Sequence, residues 1–413
     1  MGLANHIYNQ ATERLGVSLP VAFFAHTFAA FRNPKRLACH DQRKSSKNIT
    51  GGRMADGIEI DFLPVGTGEK SGDAIAVRWI ADGKYRVMLY DGGTKEYGRP
   101  LVEHVMKHFN TKHVDYVVNS HPDNDHAGGL LYVLENLTVG ELWMHQPWNY
   151  SSEIRHYFHD GRITDESLAQ RLRDKMAAAH ALEKMAEEKG VRVFEPFAGS
   201  KIGIFTVLSP AKDRYVKELI PQFEKSPELK KAEGMFDAVV DFVKEAAGAV
   251  ADVWDKEFLP DNVKTSAENE SSAVLFATIR DRGYLLTGDA GIDTLRASSD
   301  YAKSIGVDLP SQVAFVQIPH HGGRHNVSTE TLNMIVGKPL AQAVEEPTRS
   351  AYVSAAAQAP RHPKKLVTNA FKRRGFKVAQ TKGQSIWLYS KGMPTREGYG
   401  PLNYLPFFAE VEK

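Results

Sequence analysis

The chain contains a single cysteine, Cys39, among its 413 residues. One cysteine excludes an intrachain disulfide and any zinc cluster built on cysteine ligands. It also fits a reducing compartment, so we expect the protein to be cytoplasmic.

An excess of charge of one sign is also absent, because 52 Lys and Arg against 50 Asp and Glu leave a formal net charge of +2. This balance argues against a surface coated in basic residues for nucleic acid, although a local basic patch remains compatible with it. The composition is 42% hydrophobic and 25% charged, which excludes a disordered chain. The length predicts one large domain with insertions, or two domains.

Long hydrophobic runs are limited to "VSLPVAFFAHTFAAF" at 17–31. This run is shorter than the roughly 20 residues that a membrane-spanning helix needs, and it contains Pro20 and His26. Lys35 and Arg36 follow where a signal peptide would carry small uncharged residues, so we expect neither export nor membrane association. We interpret residues 1–53 as an N-terminal extension and 54–413 as the folded domain.

Strand-like and helix-like patterns alternate in the rest of the chain. Strands are predicted at 58–66, 73–80, 85–93, 114–120, 201–210, 271–279, 283–291, 313–323, 350–356 and 385–390. Helices are predicted from Pro100, near Ala127, over Thr164–Gly190 and over about 213–257, the last within a helical insertion at about 211–268. Strands on both sides of a helical middle predict an α/β fold in which two sheets pack together and helices flank them.

Histidine and aspartate residues follow three of these strands. "VNSHPDNDHAGG" at 118–129 holds His121, Asp123, Asp125 and His126, "LLTGDAG" holds Asp289, and "IPHHGG" holds His320 and His321. Buried strands can fix such side chains, and the glycines that follow allow the backbone to turn sharply beside an ion. Imidazole and carboxylate groups are common metal ligands, so the three turns together predict a metal site.

On these motifs the chain resembles the metallo-β-lactamase superfamily, with "LYDGG" and its Asp91 matching the supporting aspartate strand. The resemblance spans about residues 56–390 and implies an αββα sandwich of two mixed sheets flanked by helices. Asp123, the "HHGG" turn and "RHP" at 361–363 are similar to the ComEC-like branch. Because no membrane channel is present, the chain would be a stand-alone relative.

The resemblance implies a pair of metal positions that share one ligand. His121 and Asp123 would hold the first metal, Asp125, His126 and His321 the second, and Asp289 would bridge them. His320 is the alternative to His321, which is favoured because it directly precedes the glycine. The family's middle histidine is absent, since Ser209 and Pro210 stand in its place. The first metal would then have fewer protein ligands, with His145 and His362 as possible substitutes, although a loop or pocket histidine without a metal role is the favoured interpretation of His145.

Two divalent ions, Zn²⁺ or Mn²⁺, would bind a hydroxide between them and stabilise attacking and leaving oxygens. Asp123 in place of a histidine makes the ligand set harder and moves the preference towards Mn²⁺. Asp125 would orient the hydroxide, and His362 is a second catalytic candidate.

The segment "RHPKKLVTNAFKRRGFK" at 361–377 carries seven Arg or Lys and no acidic residue. We expect a helix with Pro363 in its first turn, and its N-terminus could bind phosphate with Lys364 and Lys365, helped by Arg373 and Arg374. The alternative is a solvated basic face. Asn269 and Ser272 in "ENESSAVL" at 268–275 resemble an asparagine–serine motif of the branch and are further candidates for substrate binding.

Three functions are compatible with these residues. The first is a phosphodiesterase or nuclease acting on a small phosphodiester or a nucleic acid. The second is a hydrolase of lactones, thioesters or β-lactams, and the third is a metal-binding module without catalysis. The oligomeric state, the metal and the substrate are not indicated by the residues.

Overall fold

The structure, a computed structural model, describes residues 56–224, 226–229 and 249–412. The predicted extension 1–53, with its hydrophobic run, lies outside these residues, as do Phe236, Val239, Val240 and Val243 of the predicted second helix. Among the described residues, no helix combines the length and hydropathy needed to cross a bilayer.

Most strands of the described residues form two seven-stranded sheets. The strands are β1 (Ile58–Phe62), β2 (Ala74–Ala81), β3 (Lys84–Gly92), β4 (His113–Val118), β5 (Thr138–Trp143), β6 (Arg192–Phe194), β7 (Lys201–Ile202), β8 (Phe205–Ser209), β9 (Ala249–Ala251), β10 (Val274–Ile279), β11 (Arg282–Leu286), β12 (Val313–Gln317), β13 (Arg349–Val353), β14 (Phe376–Gln380), β15 (Ile386–Tyr389) and β16 (Glu410–Glu412). The first sheet has the order β15-β1-β2-β3-β4-β5-β6 and the second the order β14-β13-β12-β11-β10-β8-β7, while β9 pairs with β16.

Both sheets are mixed. In the first, β3, β4, β5 and β6 run parallel and the pairs on the other side are antiparallel. In the second, β11, β12, β13 and β14 run parallel and β10, β8 and β7 complete an antiparallel half. Parallel neighbours need crossover connections, and helices provide them here.

Helices cover the outer faces of the sheets. They are α1 (Gly98–His104), α2 (Asn124–Ala127), α3 (Leu130–Asn136), α4 (Ser151–Ile154), α5 (Asp165–Lys175), α6 (Ala177–Glu188), α7 (Lys212–Arg214), α8 (Ile220–Gln222), α9 (Ala267–Glu270), α10 (Ile292–Ser304), α11 (Leu309–Gln312), α12 (Thr329–Val336) and α13 (Lys365–Arg373). Two π-helical turns, Val105–Phe109 and Tyr215–Leu219, continue α1 and α7.

Three apolar clusters separate the four layers. One lies between the sheets and includes Phe62, Phe315 and Tyr352. A second packs α1, α3, α5 and α6 on the first sheet, and a third packs α10, α12 and α13 on the second. Burial of both faces of each sheet explains why the strands read as nearly continuous apolar runs. The expected αββα sandwich is confirmed.

Three local predictions differ from the structure. The strand predicted at 201–210 is the hairpin β7–β8, because Gly203 takes a positive φ of 58° between them. The helix predicted from Thr164 begins there with a capping box, but Met176 leaves helical geometry and divides it into α5 and α6. The helix predicted to reach 257 is wrong at its end, where Val250 lies in β9 and pairs with Val411.

The interior of the second sheet's outer layer contains a buried ion pair whose removal we expect to be costly. Arg374 is 1% exposed, and its guanidinium donates two hydrogen bonds, of 2.5 and 2.7 Å, to the carboxylate of Glu257. Glu257→Ala leaves a buried charge without its partner, so it should lower the free energy of unfolding by about 3–5 kcal/mol in urea denaturation. Glu103→Ala, which removes an exposed partner of Arg99, is the control and should cost less than about 1 kcal/mol. Equal effects of the two changes would contradict the buried pair's role.

Candidate metal centre

Three strand ends bring the predicted ligand residues to one edge of the sandwich. The turn 119–126 follows β4 in the first sheet, Asp289 follows β11, and the His320–His321 turn follows β12 in the second. β11 and β12 are parallel neighbours, so their carboxyl ends lie at the same edge. The hydrogen bond from the Ala273 amide to the Ser120 carbonyl, 2.9 Å, joins the two sheets there.

Asp91 organises the first of these turns. Its buried carboxylate accepts hydrogen bonds from the Ser120 amide and hydroxyl, both 2.7 Å, and from Nδ1 of His126 at 2.8 Å. The Ser120 hydroxyl in turn lies 2.9 Å from Nδ1 of His121. Because Nδ1 of each ring is engaged in this way, Nε2 of each ring is directed towards the cluster as a potential ligand. The supporting role that the sequence predicts for Asp91 is compatible with these contacts and stays a prediction.

The first group of donor atoms consists of His121, Asp123 and Asp289. Nε2 of His121 lies 3.5 Å from Oδ2 of Asp123 and 4.0 Å from Oδ2 of Asp289. Two donors on one cation are separated by distances of this size, since each metal–ligand bond is about 2.0–2.2 Å long.

The second group consists of Asp125, His126 and His321, again with Asp289. Oδ2 of Asp125 lies 4.0 Å from Nε2 of His126 and 3.9 Å from Nε2 of His321. Nε2 of His126 is 3.5 Å from Oδ2 of Asp289. One carboxylate, that of Asp289, therefore reaches both groups.

His320 and His321 have different surroundings. Both adopt positive φ values, 46° and 55°, which are strained for residues with a side chain. His321 is buried, and its ring stacks on that of His126 with centroids 5.9 Å apart. His320 is about one-third exposed, and its Nδ1 lies 2.5 Å from Oδ2 of Asp289 and 3.2 Å from the Asn269 amide nitrogen. The geometry thus favours His321 over His320 as a potential ligand, and His320 contacts the Asp289 carboxylate.

The donor atoms fit a bound divalent cation. Within the described part of the chain, Nε2 of His121, His126 and His321 and Oδ1 of Asp289 are buried without a hydrogen-bond partner. Buried polar atoms are rarely left unpaired, and the buried histidine and aspartate side chains converge here. These residues would therefore hold metal, as the sequence predicted.

The electrostatics of the cluster are dominated by carboxylates and imidazoles. Burial raises the pKa of Asp289, but the imidazoles of His320, His126 and His321 outweigh burial and hold this pKa well below its usual range. Burial also raises the pKa of Asp125, but His126 and His321 outweigh it and lower this pKa to about 2. Asp289 and its neighbours overcome burial to raise the pKa of His321 to about 9 and that of His126 well above its usual value.

Asp73 is a member of the cluster that the sequence interpretation missed. Its ligand atom lies within 4.8 Å of those of His126, Asp289 and His321, and burial raises its pKa. It directly precedes β2, whose first residue pairs with Gly92 beside Asp91, because β2 and β3 are antiparallel. The signal that could have identified it is an aspartate that directly follows a glycine and directly precedes a strand. The hairpin partner of that strand carries Asp91.

The position of the absent middle histidine is occupied by Ser209, which is fully buried at the end of β8. His145 follows β5 and is buried against Tyr215, with ring centroids 4.3 Å apart, and against Phe197 at 5.0 Å. Burial lowers the pKa of His145 to about 3, so this imidazole is neutral. The contacts of His145 with these two aromatic rings favour the pocket role over the ligand role.

Asn269 and Ser272 support the cluster and offer little surface to a substrate. Ser272 is fully buried, and its hydroxyl accepts the hydrogen bond of the Asp289 amide at 3.1 Å. The Asn269 amide is held by Thr265 at 2.7 Å and contacts His320. The interpretation of these two residues as substrate-binding groups is replaced by one in which they position Asp289 and His320.

The basic segment forms helix α13 with a different arrangement from the one predicted. Pro363 precedes the helix and Lys364 is its N-cap, so Pro363 does not lie in the first turn. The amides of Lys365 and Leu366 donate to the carboxylate of Glu412, which occupies the site expected for phosphate. Arg373 and Arg374 are buried and bind Asp252 and Glu257. The helix therefore packs by both its apolar face and its arginines.

His362 and Lys364 nevertheless lie close to the cluster. The Lys364 amide donates to the Gly322 carbonyl at 3.1 Å, and a Cβ on Gly322 would come within 2.6 Å of Pro363. The ring of His362 is 6.3 Å from that of His320. The segment 362–364 thus packs directly on the turn that carries His320 and His321, and Nζ of Lys365 lies over the ring of Phe408.

Comparison with known proteins agrees with this fold. The model of the metallo-beta-lactamase superfamily matches residues 68–208, from the approach to β2 to the end of β8. No curated protein sequence matches the chain significantly. The matched region, about a third of the chain, is thus similar to the metallo-β-lactamase superfamily.

Similar solved structures include a diphosphatase from the PhnP family, with 12% identity and a TM-score of 0.34 over 81% of this chain and 98% of that chain. A variant of the CmlA β-hydroxylase has 13% identity and a TM-score of 0.33 over 81% of this chain, which spans about half (53%) of the hydroxylase. The metallo-β-lactamase fold protein YhfI from Bacillus subtilis has 10% identity and a TM-score of 0.28 over 68% of this chain and 95% of that chain.

The raised pKa of His321 predicts that metal binding releases protons. Below its pKa of about 9 the ring carries a proton that has to leave before Nε2 can bind a cation. We expect the affinity for Zn²⁺ to rise between pH 6.5 and 8.5 by up to about tenfold per pH unit for each proton displaced. Calorimetric titration in buffers of different ionisation enthalpy measures this release, and His321→Gln should reduce it. An affinity independent of pH over this range would contradict the assignment.

Proposed function

We propose that the chain is a metal-dependent hydrolase that cleaves phosphodiester bonds, as a relative of the ComEC-like branch. The hydrolase proposal rests on the position of the Asp289 carboxylate, which lies close to both groups of donor atoms. Its Oδ2 lies 4.0 Å from Nε2 of His121 and 3.5 Å from Nε2 of His126, so one carboxylate can join two cation positions. Two divalent cations bound there would supply an activated water and neutralise developing negative charge.

The protein's own groups have separate tasks around these positions. The side chain of Asp125 is 38% exposed, and its pKa of about 2 keeps it a carboxylate at neutral pH. It can therefore accept a hydrogen bond from the attacking water and orient it. We propose that His362, on the segment packed against the His320 turn, gives a proton to a leaving oxygen.

The positive charge of groups around the centre supports a phosphodiester as the substrate. Besides the cations, the partly exposed Arg324 follows the two glycines of the ligand turn, and the buried Lys364 lies on the segment that packs on that turn. Cationic groups near a site favour an anionic substrate. The carboxylate-rich ligand set is also the hard type found where metal ions act on phosphates.

The second candidate, hydrolysis of a lactone, thioester or β-lactam, is favoured by one observation. The N-terminus of α13, which the sequence predicted as a phosphate cradle, is already bound to Glu412. A neutral substrate would need no such cradle. A panel that combines bis(4-nitrophenyl) phosphate, single-stranded DNA and RNA with a lactone, a thioester and a β-lactam distinguishes the two functions.

Replacement of Asp125 should abolish hydrolysis while the fold persists. Asp125→Ala removes both a ligand and the group that orients water, so we expect kcat/KM on the cleaved substrate to fall by at least about 100-fold. The melting temperature of the metal-free protein should change little, because the apolar layers stabilise the sandwich. Asp82→Asn, in the exposed β2–β3 turn, is the control. Full activity of a re-metallated Asp125→Ala sample would refute the assignment.

We also expect Mn²⁺ to activate at least as well as Zn²⁺. The first position has a carboxylate, Asp123, where a histidine is usual, and it lacks the middle histidine. It therefore has two fewer imidazole donors, which are softer ligands than carboxylates. Chelated protein reconstituted with each metal in turn provides the measurement. Strict dependence on zinc, with inhibition by manganese, would show that ligand hardness does not govern the choice.

A further inference from the structure

Asp73 lies in the metal cluster beside His126 and His321, without a lysine or arginine partner in the part of the chain that the structure describes. The residue is 1% exposed, its Oδ2 accepts a hydrogen bond of 3.0 Å from Nε2 of Gln317, and Oδ1 has no hydrogen-bond partner among the described residues. The ion pairs of the described chain include none between Asp73 and a lysine or arginine. A buried carboxylate is unfavourable unless a cation or several hydrogen bonds compensate it.

The segment that carries Asp73 is packed against the ligand turn of the first sheet. The Asp73 amide donates to the Asp125 carbonyl at 3.3 Å, and the Asp73 carbonyl accepts from the Gly93 amide at 2.6 Å. A Cβ on Gly72 would lie 2.5 Å from the Asp125 carbonyl oxygen, so only glycine allows this approach. The backbone therefore fixes Asp73 beside Asp125.

Gln317 connects Asp73 with the turn that precedes Asp289. Its Oε1 accepts hydrogen bonds from the amides of Thr287 at 2.9 Å and Gly288 at 3.0 Å, and its Nε2 donates to Asp73. In the reverse orientation the NH2 group of Gln317 would face the backbone N–H groups of Thr287 and Gly288, and no hydrogen bond could form. The hydrogen bonds therefore determine the orientation of the amide. A single buried amide at the end of β12 thus positions two carboxylates of the cluster.

We propose that Asp73 is a further ligand of the second metal position, a role that rests on the proposed metal centre. That position would then have five donors, Asp73, Asp125, His126, Asp289 and His321, whereas the first would have three, His121, Asp123 and Asp289. Asp73, Asp123, Asp125 and Asp289 together contribute four negative charges, which two divalent cations balance.

The unequal donor sets give the centre two different affinities. The second position retains its cation, and the first exchanges its cation with the solution. Hydrolysis that needs both cations then depends on the concentration of free divalent metal, so metal supply regulates the enzyme through the first position.

Titration of chelator-stripped full-length protein with Mn²⁺, followed by electron paramagnetic resonance of the free ion, tests this arrangement. We expect one tight site and one at least about tenfold weaker in the unaltered protein. Asp73→Asn should weaken the tight site at least about tenfold and leave the weak site, whereas Asp123→Asn should affect only the weak site. Asp82→Asn is the matched control outside the cluster and should leave both sites unchanged.

Two further variants separate the possible failures. If His126→Ala binds Mn²⁺ as well as the unaltered protein, the proposed metal centre itself is wrong. If His126→Ala loses the tight site while Asp73→Asn keeps both affinities, only the role of Asp73 is wrong. Gln317→Leu, which removes the amide that positions Asp73, covers the case in which Asp73→Asn does not fold, and it should also weaken the tight site. Two equal sites in the unaltered protein would overturn the proposed asymmetry.

Discussion

The imidazole of His126 connects the two sheets of the sandwich, and the geometry of the candidate centre depends on it. Its Nδ1 lies 2.8 Å from Asp91, at the end of β3, and its Nε2 lies 3.5 Å from Asp289, which follows β11. Because the ring is fully buried, neither contact can be exchanged for water. The distance between the sheets, set by aromatic packing of Phe62, Phe315 and Tyr352, therefore also sets the distance between the donor atoms.

Two groups of buried acidic residues in the described chain are balanced differently. On β1, Glu59 and Asp61 are fully buried, and the guanidinium groups of Arg78 and Arg396 bind them. Arginine is permanently charged, so that cluster is complete and structural. At the other place Asp289 is surrounded by imidazoles, which can exchange their protons for a cation. The kind of basic partner distinguishes the structural cluster from the one suited to metal.

Helix α13 shows how charged residues can be misread from local sequence. Its arginines suggest a basic surface when the segment is considered alone, yet Arg373 and Arg374 are among the largest fully buried side chains. Their acidic partners, Asp252 and Glu257, lie more than a hundred residues earlier in the chain. Local charge pattern contains no information on such distant partners, so it could not separate a solvated arginine from a buried one.

Periodicity and the residues after strands were enough to predict the sandwich and to bring together His121, Asp125, His126, Asp289 and His321. These features are local, because alternation, glycine turns and motif spacing are read over a few residues. Asp73 stands before its strand, so the residues after strands did not point to it. Its contact with Gln317 could not be predicted from local patterns, since the hydrogen bond joins residues 244 positions apart. The same holds for Glu412 at the start of α13. Contacts between distant segments form only when the sheets pack, and that packing sets which carboxylates meet at the centre and which charges are neutralised elsewhere.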